Sequence, residues 1–225
     1  MKKTNIKKLG PLEPLNPSDK NHFDQDKYVL YPGDVFTHTV IALENLPKDA
    51  SEELLWATLL HDVGKPNTQR FEDRIRFNNH DNVGASIADE ILRRFKFSND
   101  AREHIVAMVA NHMKFSYVQN MRKSRLKRFI GMDRFEEHKL LHIADCMGKD
   151  EFKNIEYIDG LNFPPEVIRP ERLVTGKDLI EMGLKQGPIF KEILNIIEDA
   201  QLEEILTDRE HALNTARELV DKHVY

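Results

Sequence analysis

Cysteine is almost missing from this chain: Cys146 is the only one in 225 residues. That excludes a disulfide framework and a cysteine-built zinc site. No apolar run approaches the roughly 20 residues that cross a bilayer, and no apolar signal core follows the lysine-rich N-terminus. A cytoplasmic protein that does not enter a membrane is expected. Neither sign of charge dominates, with 33 Lys and Arg against 38 Asp and Glu and a formal net charge of -5. This balance argues against indiscriminate nucleic-acid binding by the whole chain, but it leaves room for a local basic patch. Alternating strand patterns are scarce and no repeat is evident. What is present is 40% apolar content, enough for a real core, arranged with helical spacing. The expected fold class is all-α.

Residues 1–33 carry Pro11, Pro14, Pro17 and Pro32 with little periodicity, and read as an extended arm. A core is expected over 34–150. Asp34 would cap a helix with Phe36, Val40 and Leu43 on one face, ending near Pro47. Ser51 would cap the next, with Leu54, Leu55, Leu59 and Leu60 apolar, stopped by Gly64 and Pro66. Residues 67–79 read as loop, followed by a helix from about Asn82 to Phe95. Ser98 would cap a helix whose Ile105, Met108, Val109 and His112 form one stripe. Asp133 and Glu136 suggest a capping box for a helix reaching Met147. A proline-rich break from Phe163 to Pro170 then leads into a linker and helical appendage over 151–225. Gly187-Pro188 and Thr207-x-x-Glu210 would start two helices there.

The chemistry centres on His61-Asp62, at the end of the run Trp56 to Pro66. His38, His61, Asp62 and Asp145 suit one borderline divalent ion such as Mn, Co, Ni, Fe or Zn. Adjacent residues on a helix point about 100° apart, so the doublet grips an ion from two directions. An ion held there with open positions lowers the pKa of water and neutralises charge on a phosphoryl group. A lone histidine is more often a surface or core residue than a ligand. Two features raise this group above that. His112 completes an apolar stripe, where an unpaired ring is costly. Asp145 follows Leu141 and Ala144 on an inward face, where a carboxylate wants a cation. His80 and His112 are candidates for a second ion, a phosphate contact or general acid–base work. Lys65 reads either as a phosphate contact or as a lysine complementing a helix C-terminus. His104 reads as a stripe-edge residue, His138 and His142 as ordinary partly exposed histidines, and Cys146 as a small core residue.

Residues 113–130 form the most basic stretch, with Lys114, Arg122, Lys123, Arg125, Lys127 and Arg128 beside Phe115 and Tyr117. It reads as an entrance for nucleotide or RNA phosphates, or as a solvated helix face with Leu126, Phe129 and Ile130 packed inward. In the first reading Lys114, Arg122 and Arg125 are substrate-binding residues.

With these residues in view, the chain resembles the HD-domain phosphohydrolase superfamily, with His38, His61, Asp62 and Asp145 on its four-ligand pattern. Leu59-Leu-His-Asp-Val-Gly-Lys-Pro-Asn-Thr68 and Phe77-Asn-Asn-His-Asp-Asn-Val-Gly-Ala85 are similar to the HD region of bacterial CCA-adding tRNA nucleotidyltransferases. Leu173 to Ile180, Gly187-Pro188 and Arg209-Glu210 are similar to their C-terminal helical segment. The resemblance covers roughly residues 34–220. It implies an HD helical bundle with a C-terminal helical appendage, one or two divalent ions (Mg included), and hydrolysis of 2′,3′-cyclic phosphates, 2′-nucleotides or phosphomonoesters. Residues 1–33 show neither the Gly-Ser motif nor the paired aspartates of a nucleotidyltransferase domain, so CCA addition is not expected without a partner chain. The expected catalytic residues are Asp62, Lys65, His80 and His112, acting on nucleotide or RNA-end phosphoesters with tRNA or RNA as a partner. The rival from another class is a non-catalytic tRNA- or RNA-binding module with a structural metal.

Overall fold

The computed structural model describes residues 32–71, 75–146 and 152–224. The expected arm, apart from its last two residues, and Met147 lie outside them. The described chain is helical apart from one small hairpin. Its elements are α1 (Pro32–Glu44), α2 (Glu52–Leu60), α3 (Lys65–Thr68), β1 (Arg70–Phe71), β2 (Ile75–Arg76), α4 (His80–Arg94) and α5 (Asn99–Asn111). A 3-10 segment (His112–Asn120) follows, then α6 (Lys123–Ile130), α7 (Phe135–Cys146), α8 (Phe152–Gly160) and α9 (Pro165–Ile168). The chain finishes with α10 (Gly176–Glu181), α11 (Pro188–Leu202) and α12 (Arg209–Val224). No described helix is long and apolar enough to cross a membrane.

Caps explain several boundaries. The hydroxyl oxygens of Ser51 and Ser98 accept from the backbone N–H of Leu54 and Ala101, so both serines start their helices as expected. Elsewhere the capping residue differs. Asp34 lies inside α1, which already includes Pro32. Asp133 accepts from Arg169 (2.6 Å) instead of closing a capping box, and Glu136 pairs with Lys139 (3.3 Å). Arg134, at φ 50°, turns the chain into α7. Asp208, not Thr207, caps α12, its Oδ1 accepting from His211 N–H in the first turn. The stretch 67–79 is not all loop, because Arg70 faces Arg76 and Phe71 faces Ile75 in an antiparallel pair.

The first core lies among α1, α2, α4, α5 and α7, around Leu54, Ala57, Leu92, Ile105, Met108 and Leu141. The inward side of α1 carries Thr39 and Ala42, whereas Phe36, expected on that face, is 67% exposed. A second cluster joins Phe115, Val118, Leu126 and Phe129 to Ile155 and Ile158 of α8. A third, around Leu179, Ile193, Ile197, Ala212 and Ala216, holds α10 to α12 together.

The joint between α6 and the end of α11 absorbs most of the basic stretch. The ammonium of Lys127 is buried, donating to Leu202 O (2.8 Å) and Glu204 Oε1 (3.0 Å). That places a cation at the carbonyl end of α11, where the helix dipole favours it. Ser124 N–H donates to Glu203 (2.8 Å), Lys123 pairs with Glu204 (3.2 Å), and Arg122 and Arg128 both reach Asp199. Leu126 and Phe129 pack inward. Lys127→Met keeps the stem but strands the Leu202 carbonyl. A loss on the order of 2 kcal/mol is expected, read as a lowered midpoint in thermal denaturation. An unchanged midpoint would mean that apolar contacts alone hold the tail.

Candidate metal centre

Five elements deliver the site. His38 comes from α1, His61 and Asp62 from the end of α2, His80 from the first position of α4, His112 from the end of α5, and Asp145 from α7. The sequence-predicted ligands therefore converge, in two sets. His38, His61 and Asp145 each offer one atom, all within 4.8 Å of one another, and Asp62, His80 and His112 do the same.

Asp62 stands between the sets. Its Oδ2 lies 3.3 Å from His61 Nε2 and 3.7 Å from His38 Nε2, and its Oδ1 lies 3.5 Å from His80 Nε2 and 4.0 Å from His112 Nε2. Oδ2 is buried, with the Lys65 ammonium 2.7 Å away. Lys65 also lies over the Phe77 ring.

Backbone carbonyls fix the imidazole tautomers. Nδ1–H of His61 donates to Thr58 O (2.7 Å), that of His80 to Phe77 O (2.8 Å) and that of His112 to Val109 O (2.7 Å). A carbonyl only accepts, so each Nδ1 carries a proton and each Nε2 is turned inward; in the neutral rings of His80 and His112 that Nε2 presents a lone pair. His80 Nε2 and His112 Nε2 then face each other at 3.1 Å. Two lone pairs at that distance repel unless a positive charge sits with them. His38 Nε2 is 3.2 Å from His61 Nε2 and donates to Asp145 Oδ1 at 2.8 Å.

Titration behaviour follows the same geometry. Burial alone would lower His61, but Asp62 and Asp145 outweigh it and hold the imidazole well above its ordinary value. Burial alone would raise Asp62 and Asp145. The histidines around them outweigh it, helped at Asp62 by Lys65, and both stay well below the usual carboxylate range. Burial, then the charge on His61, lowers His112 to about 4. Protons thus occupy positions that a cation would take, and cation binding would release them. The donor set of neutral imidazoles and ionised carboxylates fits a divalent transition ion.

Local structure explains the aim of the rings. Gly64 has φ -81° and is no left-handed helix stop. A Cβ there would meet His80 O at 2.1 Å and Gly84 N at 2.6 Å. The two glycines let the end of α2 lie directly against α4, which presses His80 toward Asp62. Pro66 sits in the first turn of α3, where a missing N–H costs nothing. Asn79, at φ 67°, turns the chain into His80; asparagine tolerates that conformation. Neither Asn79 nor the Gly64–Gly84 contact was foreseen from the sequence, although Asn-His and the repeated glycines were visible in it.

Other expected residues lie elsewhere. His104 is paired with Glu137 at 2.5 Å. His138 and His142 are buried, not partly exposed: both face inward on α7, and His142 stacks on Phe115. Cys146 is buried, its Sγ 3.3 Å from His142 Nδ1. Lys114, Arg122 and Arg125 line a cleft between α6 and α11, apart from the six converging ligands.

The model of the HD domain matches residues 34–148, about half of the chain. The chain belongs to the HD domain family. It is 32% identical to the A-adding tRNA nucleotidyltransferase of Deinococcus radiodurans over 197 residues, covering 79% of this chain and 45% of that enzyme. It is 31% identical to the CC-adding tRNA nucleotidyltransferase of Thermus thermophilus over 188 residues, 78% of this chain and 42% of the other. The multifunctional CCA protein of Halorhodospira halophila is 30% identical over 164 residues, 69% and 39% respectively. The chain thus spans less than half the length of these relatives.

His138 generates a pH prediction. Both of its ring nitrogens are buried without a hydrogen-bond partner. Burial, then His104, lowers its pKa to about 4. The unfolded chain protonates near 6.5, so between about 6.5 and 4 the unfolded state binds more protons than the native one. Stability present above pH 6.5 is lost as pH falls through this window, on the order of 3 kcal/mol. His138→Phe should flatten urea-unfolding stability over that range. An unchanged pH slope in the variant would show that His138 is not the titrating group.

Proposed function

We propose that this chain is a metal-dependent phosphohydrolase or phosphodiesterase acting on nucleotides or RNA-end phosphates, as 2′,3′-cyclic phosphates, 2′-nucleotides or phosphomonoesters. The observation that carries the reading is the His80–His112 contact. Both Nδ1 atoms are committed to carbonyls, both Nε2 lone pairs meet at 3.1 Å, and the Asp62 carboxylate lies alongside. A cation relieves that arrangement better than any other partner. Family membership and the six-residue ligand set support the same reading.

His38, His61 and Asp145 would hold one ion and His80 and His112 a second, with Asp62 offering one oxygen to each. When bound, such ions supply Lewis acidity that lowers the pKa of water and offsets phosphoryl charge. The chain's own groups do the rest. Carbonyls hold the imidazoles in the ligating tautomer. Lys65, 15% exposed and tied to Asp62, reaches past the ligands to steady a non-bridging phosphate oxygen. His112, with its pKa lowered to about 4, is neutral at pH 7 and serves as a lone-pair donor, not as an acid. Where one ion suffices, His80 remains free to assist the leaving oxygen. We assign the phosphohydrolase to residues 34–150, and a supporting role to the linker and tail over 151–225. A second reading rests on the relatives, whose names specify tRNA: a non-catalytic tRNA- or RNA-binding module with a structural metal. The Lys65 ammonium beside the ligand set favours the enzyme.

Chelation should abolish phosphoesterase activity, and Mn, Co or Ni should restore it better than Ca, which prefers all-oxygen sites. Asp62→Ala or Asp145→Ala should lose metal content and turnover together; wild-type values in either variant would remove that residue from the ligand set. Full turnover in the stripped protein would overturn the mechanism.

Lys65→Met should lower turnover by roughly 10²-fold while metal content stays unchanged. A variant that loses stability but keeps its kinetics would return Lys65 to the role of a helix-end lysine.

A further inference from the structure

Six cations crowd residues 114–128, and the structure divides them. Arg122, Lys123, Lys127 and Arg128 are engaged by Asp199, Glu204 and Glu198 of the tail. Lys114 and Arg125 are not. Among the described residues neither has a carboxylate within ion-pairing distance. Both line the cleft between α6 and α11, a space of about 380 Å3 shared with Arg122, Arg128, Asn195 and Asp199. The Lys114 ammonium lies over the Phe129 ring, 5.8 Å from its centroid.

Two like charges held in one half-buried cleft oppose each other. Lys114 and Arg125 share the cleft with Arg122 and Arg128, and the only carboxylate lining it, Asp199, is already paired with those two. An arrangement of that kind is relieved by an anion entering the cleft. Position limits what the anion is. Lys114 follows His112 by two residues in the same 3-10 segment, and Asp81 adjoins His80. None of the six ligands lines the cleft, but the 3-10 segment that carries Lys114 into it begins at His112. Tyr117, 42% exposed, sits on the same segment at its non-helical point, and the fields of both Asp81 and Arg125 reach its hydroxyl. Cations interleaved with an open aromatic face are what a single strand uses, phosphate on charge and base on ring. An acidic peptide needs the charges but not the ring.

We propose that Lys114 and Arg125 form a second phosphate subsite, which takes a neighbouring backbone phosphate of a single-stranded nucleic acid while Tyr117 stacks one of its bases. This rests on the phosphoester reading of the adjoining ligand set and narrows its substrate class from mononucleotides to strands. The net charge of -5 for the whole chain then has a use. It opposes indiscriminate binding of a strand to the rest of the surface.

Binding can be tested apart from hydrolysis. A fluorescein-labelled single-stranded RNA, a DNA of the same sequence, and poly-glutamate are titrated into the full chain with chelator present, and anisotropy is read across a salt series. The wild type should bind RNA, with affinity falling as salt rises. Lys114→Gln/Arg125→Gln should weaken it on the order of 25-fold at about 0.1 M salt and flatten the log–log salt slope by about 1.4, since each single-strand phosphate contact contributes about 0.7. Tyr117→Ala should weaken binding without changing that slope. Lys177→Gln, on the exposed face of α10, should change neither. Thermal melts check that the variants are folded, and Arg125→Gln alone, at an exposed position, gives the answer if the double variant is not. A fall in affinity shared equally by Lys177→Gln, no RNA binding by the wild type, or poly-glutamate binding as tightly as RNA would each overturn the proposal. RNA and DNA binding alike supports it; RNA alone supports it and adds 2′-hydroxyl recognition. Strand binding that depends on Lys114 and Arg125, in a protein that hydrolyses no phosphoester, would keep the subsite and discard the enzyme. Hydrolysis of a small phosphodiester without strand binding would do the reverse.

Discussion

His80 and His112 point unshared electron pairs at each other across 3.1 Å, because each has given its only ring proton to a main-chain carbonyl. Much of the rest of the structure can be read from that contact. The carbonyls belong to Phe77 and Val109, so ring orientation is set by backbone that is itself held by helix packing. The apolar stripe of α5 fixes one ring, and the close contact of Gly64 with α4 fixes the other. Repulsion between the nitrogens is tolerated because Asp62 is beside them, and Asp62 stays ionised because His61 and Lys65 are beside it. Each group is unfavourable alone and acceptable only with its neighbours. Such a site costs folding stability while no cation is bound, and cation binding returns it.

The second constraint is the joint between core and tail. It is built from charge, not from apolar area alone: Lys127 is driven into a buried position, and Arg122 and Arg128 share Asp199. A polar joint of this kind is directional. It specifies how α11 seats against α6, whereas an apolar patch would permit sliding. The cost is the desolvation of Lys127, offset by the α11 carbonyl end and Glu204. One consequence is that the basic stretch cannot be a uniform polyanion surface. Four of its cations have resident partners, and Lys114 and Arg125 have no ion-pair partner among the described residues.

The sequence made the converging histidines and aspartates legible because residue types that can hold a metal are few and their neighbours here are apolar. His112 on the stripe of α5 and Asp145 after Leu141 and Ala144 could be placed inward by period alone. Helix starts at Ser51 and Ser98 were readable for a similar reason, since a hydroxyl before an apolar run has one common use. Other features depended on long-range partners that no local pattern encodes. Gly64 looked like a helix stop and is a point of close approach. Asp133 looked like a cap and is drawn to Arg169, 36 residues away. Phe36 looked inward and faces solvent, because the α1 face is chosen by what α2 and α7 present. His138 and His142 looked exposed because nothing nearby in sequence announces the aromatic seam of Phe115 and Phe135 that covers them.

The basic stretch shows most clearly why charge alone does not assign function. Lys114, Arg122, Lys123, Arg125, Lys127 and Arg128 are equivalent in a composition count. In the fold they separate by partner, and the separation follows helix geometry. On α6, Lys123 and Lys127 are four residues apart and meet the same Glu204. Arg122 and Arg128 flank that row and meet Asp199. Arg125 falls between Arg122 and Arg128 around the helix, opposite the Lys123–Lys127 row, and shares the cleft with Lys114 of the 3-10 segment. Moving Arg125 by one residue would carry it about 100° around the helix and out of this cleft. The division between structural and free cations is therefore written in residue spacing on α6, but it becomes readable only once the position of α11 is known.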